Sequence, residues 1–151
     1  MNPTRVLLVE SGESVHRALG YLIDLLADCE LVGVVATVEQ ALLAVARLRP
    51  DVLLMDAELP GVLAAIPHLR AAGQPPDDAA AHPLRIVLLS VYGRGERAAR
   101  ASGADAYLLK DCGPSALLAA LRAEAPTDDC HNTAAASSLP VAGTERRTPW
   151  D

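Results

Sequence analysis

Asp51-Val52-Leu53-Leu54-Met55-Asp56 sets an unbroken apolar run between two carboxylates. A strand covered on one face alternates apolar with polar residues, whereas a strand covered on both faces reads as a continuous apolar run. The segment therefore predicts a buried parallel strand that delivers Asp56 to its carboxyl end. Three other stretches have the same form. Arg5-Val6-Leu7-Leu8-Val9 leads into Glu10-Ser11, Arg85-Ile86-Val87-Leu88-Leu89 into Ser90, and Ala106-Tyr107-Leu108-Leu109 into Lys110. Helix-like stretches separate them, which is the pattern of an α/β doubly wound parallel sheet. In such a sheet, ligands bind beyond the carboxyl ends of the strands, where the strand order reverses. An acid, a second acid, a hydroxyl and an ammonium thus converge on one crevice, a set that suits a phosphoryl group and a small hard cation.

The intervening segments carry helical periodicity. Val15, Leu19, Leu22, Ile23 and Leu26 predict an amphipathic helix from about Glu13 to Ala27. Leu31-Val32-Gly33-Val34-Val35 reads as a second short strand. Ala41, Leu42, Val45 and Leu48 then form one stripe of a helix over Val38–Leu48. Arg49-Pro50 ends that helix, because a residue before proline avoids the α region. Pro67 predicts that the next helix is short, kinked, or begins near Pro67 itself. Gly73-Gln74-Pro75-Pro76-Asp77-Asp78 is a loop at the amino end of the sheet. A helix follows over Glu96–Ser102, with Gly103 closing it from the position after its cap. Pro114 opens a last helix that ends near Glu124. The chain divides into a folded unit over 1–125 and a tail, 126–151, expected to be disordered on its Ala, Ser, Thr, Asp and Pro content.

Bulk properties narrow the function. The 151 residues suit one domain with an adequate core, and 51% are hydrophobic, largely alanine and leucine. A formal net charge of −6 with no run of Lys and Arg argues against nucleic acid as a direct partner. No apolar run approaches the ~18 residues that span a bilayer, and no signal peptide precedes the first strand. Cys29, Cys112 and Cys130 are too scattered for a disulfide framework. A cytoplasmic protein without membrane contact is expected.

Leu54-Met55-Asp56 with Leu59-Pro60-Gly61, then Leu89-Ser90, then Gly103-Ala104-Asp105-Ala106-Tyr107-Leu108-Leu109-Lys110-Asp111 make the chain resemble a response-regulator receiver domain over roughly residues 4–124. The Lys110-Asp111 ending is similar to the LuxR-type regulators in particular. The resemblance implies a (βα)5 flavodoxin-like (CheY-like) sheet of strand order 2-1-3-4-5. It implies that Asp56 attacks a phosphohistidine and becomes an acyl phosphate, and that Lys110 pairs with the phosphoryl oxygens. Ser90 would hydrogen-bond to those oxygens, and Tyr107 would turn inward when Ser90 moves. A Mg²⁺ ion would be held by Glu10, Ser11, Asp56 and the backbone carbonyl of Glu58. These roles agree with elementary chemistry: phosphoryl transfer is mostly positioning and charge neutralisation, and a new phosphoryl group offers strong acceptor oxygens for a hydroxyl and an ammonium.

Two positions depart from the family. Ser11 stands where the second acid of the first strand is usual, which lowers the expected Mg²⁺ affinity; Glu13 or Glu58 is the nearest replacement. Val62-Leu63-Ala64-Ala65 stands where an Asp-Gly pair is common, which predicts an altered loop and helix start.

The leading functional expectation is a single-domain response regulator, not an enzyme, that takes a phosphoryl group from a sensor histidine kinase or phosphotransfer protein. It would switch an interaction surface for an unknown downstream protein, at roughly residues 93–121, with homodimerisation left open. No helix-turn-helix fits into 126–151, so direct DNA binding is not expected. The alternative is a pseudo-receiver, a phosphate-independent interaction module, which Ser11 favours. A third class, the haloacid-dehalogenase-type hydrolases, also uses a strand-end aspartate, hydroxyl and lysine. It needs a second Asp two residues after the nucleophile, where this chain has Glu58. Asp128-Asp129-Cys130-His131 reads as solvated tail rather than half a zinc site. Cys112, His16, His68, His82 and Trp150 read as ordinary loop or surface residues.

Overall fold

The computed structural model describes residues 2–74, 77 and 83–123. Among them the chain alternates strand and helix. The elements are β1 (Thr4–Val9), α1 (Glu13–Asp24), β2 (Cys29–Val35), α2 (Val38–Leu48), β3 (Val52–Asp56), α3 (Val62–Gly73), β4 (Arg85–Ser90), α4 (Glu96–Ala101), β5 (Ala106–Leu109) and α5 (Pro114–Leu121). The strands form one parallel five-stranded sheet in the order β2-β1-β3-β4-β5, as the resemblance implies. Strand order reverses between β1 and β3, which places the crevice at the ends of those two strands.

The period of two within each strand builds two core layers. Leu7, Val9, Leu53, Met55, Ile86 and Leu88 face one way and pack with Val38, Ala41 and Val45 of α2, with Ile66 and Leu69 of α3 and with Ala99 of α4. Val6, Leu8, Val52, Leu54, Val87 and Leu89 face the other way, against Ile23 of α1 and Leu117, Ala120 and Leu121 of α5. All five residues of β3 are buried, so its continuous apolar run is the signature of a central strand covered on both sides.

Several boundaries differ from the sequence reading. The first helix stops at Asp24 rather than Ala27, because the chain turns over Leu25–Asp28 to let the Thr4 amide donate to the Asp28 carbonyl. β2 begins at Cys29, two residues early, and a register shift between Val6 and Leu7 lets Val32 bulge out of the ladder. α3 begins at Val62, directly after Gly61 at φ 77°, and holds Pro67 inside it. A proline there removes the bond to the Leu63 carbonyl, yet the buried stripe Val62, Ala65, Ile66 and Leu69 seats the helix on the sheet, and that packing outweighs the local cost. α5 ends at Leu121, with Arg122 as its cap. Gly103 closes α4 as expected: at φ 100° it donates to the Arg100 carbonyl while Ala104 donates to that of Ala99.

A staple holds the amino end of the sheet. Arg70 of α3 donates to the Leu84 carbonyl at 2.7 Å, to the Gly103 carbonyl, and to Asp105 Oδ2 at 2.8 Å. Asp105 in turn accepts from the Ile86 amide at 2.8 Å. The expected tail, Asp128-Asp129-Cys130-His131, His82 and Trp150 lie outside the described residues. Among the described residues, no helix is long and apolar enough to cross a membrane.

Candidate functional site

Each strand-end residue is placed by its strand's last backbone bond. The Glu10 amide donates to the Val35 carbonyl at 2.9 Å, extending the β1–β2 ladder by one residue and turning the Glu10 side chain into the crevice, 4% exposed. Asp56 closes β3 at 7% exposed. Ser90 closes β4 at 1% exposed, and its carbonyl accepts from the Lys110 amide at 2.8 Å. The four lie side by side because their strands are in parallel register.

Lys110 is the hub. Its Nζ lies 3.0 Å from Glu10 Oε2 and 3.3 Å from Asp56 Oδ1, bridging residues from the first and third strands. The other oxygen of Glu10 accepts from the Gly12 amide at 3.0 Å. Burial pushes the Lys110 ammonium toward the neutral form, but the Glu10 hydrogen bond and the Asp56 charge more than offset it, and its pKa is raised. Lys110 is thus held as a cation against two buried carboxylates.

Ser90 does not join that cluster directly. Its hydroxyl donates to Glu58 Oε1 in a short hydrogen bond and accepts from the Tyr92 amide at 2.9 Å. The Glu58 amide donates to Asp56 Oδ1 at 3.0 Å, so one residue meets the aspartate with its backbone, and its side chain hydrogen-bonds with both Asp56 and Ser90. Burial acts to raise the Asp56 carboxyl, yet the hydrogen bonds of Glu58 and the Lys110 charge hold its pKa below the ordinary carboxylate value. Glu58 moves the other way: burial and the neighbouring Asp56 raise its pKa, against the Ser90 hydroxyl, which lowers it. Of the pair, Glu58 takes a proton first.

Ser11 is exposed, as is Glu13, which pairs with Arg17 at 2.7 Å and stays out of the crevice. Glu58 does lean in, but toward Ser90. Among the described residues, no three of the His, Cys, Asp and Glu side chains gather as metal ligands do. The donors that line the crevice are oxygens, Glu10 and Asp56 among them, which fits a hard cation in kind. Tyr107 is half-buried, and its hydroxyl donates to the Tyr92 carbonyl rather than to Ser90. Tyr107, Ser90, Glu58, Leu63, Tyr92 and Arg94 border a common cavity of about 160 Å³. Sequence reasoning gave Glu58 a backbone role toward the metal and named its side chain as a stand-in for the acid missing at Ser11, but did not place that side chain on Ser90. The signal that would have found its side chain is position: two residues past the central strand, on the turn that rims the crevice.

The family model for the response regulator receiver domain matches residues 6–122. The chain belongs to that family. Among curated proteins, this receiver is 32% identical over 123 residues to the nitrate/nitrite response regulator protein NarL of Escherichia coli, covering 79% of this chain and 53% of that one. It is 33% identical over 122 residues to the transcriptional regulatory protein DesR of Bacillus subtilis, covering 78% and 56% respectively. The chain therefore spans about half the length of the curated relatives it matches. Among solved structures, the receiver domain of a Pseudomonas aeruginosa sensor histidine kinase, with magnesium coordinated in its active site cleft, superposes with a TM-score of 0.66 at 24% identity. It covers 80% of this chain and 96% of that one, and it shares the fold. Receiver domains work in two-component signalling, and this chain is one of them.

Proposed function

We propose that this receiver is the phosphoacceptor of a two-component phosphorelay, taking a phosphoryl group on Asp56 from a sensor histidine kinase or phosphotransfer protein. The observation that carries the reading is the Lys110 ammonium 3.3 Å from Asp56 Oδ1, beneath a crevice that also holds the Ser90 hydroxyl. Asp56 is ionised at neutral pH, and the hydrogen bonds of Glu58 and the Lys110 charge hold its pKa lower still. As an Asp56 oxygen forms the new P–O bond, the P–N bond of the phosphohistidine breaks and its electron pair returns to the imidazole. Lys110 neutralises charge on the transferred oxygens, and the Ser90 hydroxyl captures one of them. Mg²⁺, held by Glu10, Asp56, the Glu58 carbonyl and the Ser11 hydroxyl, would supply further charge neutralisation. Tyr107 borders the same cavity as Ser90, so a shift of Ser90 reaches the ring through shared space. The response then passes to a downstream protein through the surface over 93–121, next to the exposed Val91 and Tyr92.

A second reading, the phosphate-independent pseudo-receiver, is favoured by Ser11 and by the engagement of both Glu10 oxygens. Intact mass after incubation with acetyl phosphate and Mg²⁺ separates the two. Gain of one phosphoryl group on wild type and none on Asp56→Ala supports the phosphoacceptor. Gain on Ser11→Asp alone supports the pseudo-receiver, with its defect in the metal site.

A further inference from the structure

We propose that the Glu58 side chain is an internal occupant of the phosphoryl pocket, holding the Ser90 hydroxyl and so slowing phosphorylation of Asp56. The inference rests on Asp56 being the acceptor. A serine hydroxyl carries one proton to donate. Ser90, 1% exposed, gives that proton to Glu58 Oε1, and the Tyr92 amide fixes the hydroxyl from the other side. A phosphoryl group arriving on Asp56 competes with Glu58 for the same proton. Glu58 is also well placed to stay, because its own amide is anchored on Asp56 Oδ1 at 3.0 Å. The carboxylate has somewhere to go when expelled. It borders the cavity of about 160 Å³ that Arg94 also lines, with the Arg94 guanidinium stacked 5.1 Å from the centre of the Tyr92 ring. Phosphorylation would thus exchange a Glu58–Ser90 hydrogen bond for a Glu58–Arg94 ion pair.

The test uses the full chain with acetyl phosphate and Mg²⁺. The donor's P–O bond breaks, acetate leaves with the electron pair, and an Asp56 oxygen forms the new P–O bond. Rates are read by intact mass for wild type, Glu58→Gln, Glu58→Ala, Ser90→Ala and the Ser90→Ala/Glu58→Ala pair. Beryllofluoride binding, followed by fluorine NMR, gives a readout without turnover. Glu58→Ala should react about tenfold faster than wild type, the size of one charge-assisted hydrogen bond lost from the resting state. Glu58→Gln should fall between them, because an amide oxygen still accepts from Ser90, and beryllofluoride should bind more tightly in the same order. In the Ser90→Ala background the gain should shrink below about twofold, because the two residues act through one bond. A full gain in that background would show charge repulsion instead and overturn the proposal. An unchanged or slower Glu58→Ala would overturn it as well, while leaving Asp56 as acceptor. Failure of wild type and every Glu58 variant to take up phosphoryl or beryllofluoride would overturn the acceptor reading, and this inference with it.

Discussion

The two walls of the crevice are furnished unequally. On the β1 side, Glu10 stands beside a neutral, exposed Ser11, and both Glu10 oxygens are occupied by Lys110 and the Gly12 amide. On the β4 side, Ser90 is buried and already bonded to a carboxylate that the sequence pattern did not require there. One wall is short of an acid, and the other has one extra. Lys110 stands between them and holds Glu10 and Asp56 together across the strands. The difference teaches that a site can keep its charge while changing which oxygen faces which partner: the acid on the β4 side meets a hydroxyl rather than standing beside Glu10.

That comparison can be broken at its centre. Asp56→Ala should abolish phosphoryl uptake altogether, read as the absence of a mass gain after acetyl phosphate treatment. Lys110→Ala removes the cation shared by two buried carboxylates, and urea denaturation at neutral pH should show a loss of about 2–3 kcal/mol. The sign of its pH dependence follows from the two shifts. The Asp56 pKa is depressed, so its stabilisation is present above the ordinary value of 3.8 and is lost as acid protonates the folded carboxyl. The Lys110 pKa is raised, so its stabilisation is complete below 10.5 and is lost as pH rises through the folded pKa. The gap between wild type and Lys110→Ala should therefore be flat across neutral pH and close at both extremes.

Smaller changes sharpen the comparison. Ser11→Asp would furnish the poor wall, and titration calorimetry should show Mg²⁺ affinity rising by about tenfold or more, by analogy with the cost of weakening metal-site ligands. Gly95→Ala acts on the rich wall. A Cβ there would lie 2.7 Å from the Tyr107 hydroxyl oxygen, so the ring must shift, which weakens its bond to the Tyr92 carbonyl. The expected loss is about 1 kcal/mol, with a change in the near-UV tyrosine signal.

Much of this molecule was legible because buried parallel strands write themselves as apolar runs. Val52–Asp56 and Arg85–Ser90 needed no tertiary information, and Gly103 announced a left-handed backbone position that few other residues tolerate. Glu30 interrupts the apolar pattern of β2, which hid its first residues. Leu26 continues the helical spacing of α1 past the point where the backbone turns. Pro67 misled because a local rule met a buried stripe that only the sheet beneath makes visible. In the site, strand ends predicted which residues would converge, and Lys110 and Glu10, 100 residues apart, do meet. The direction of the Glu58 side chain was not readable, because a turn residue's orientation depends on which neighbour the fold brings to it.

The Arg70 staple has a mechanical consequence. It pins α3 to Leu84, at the foot of β4, and to Gly103 and Asp105, just before β5, while the reactive residues stand at the opposite ends of those strands. The staple thus ties the amino ends of β4 and β5 to α3, while Ser90 and Lys110, with the exposed Val91 and Tyr92, lie at the carboxyl ends that Arg70 does not reach. A change in hydrogen bonding at Ser90 therefore acts at the end of β4 opposite the Arg70 contacts.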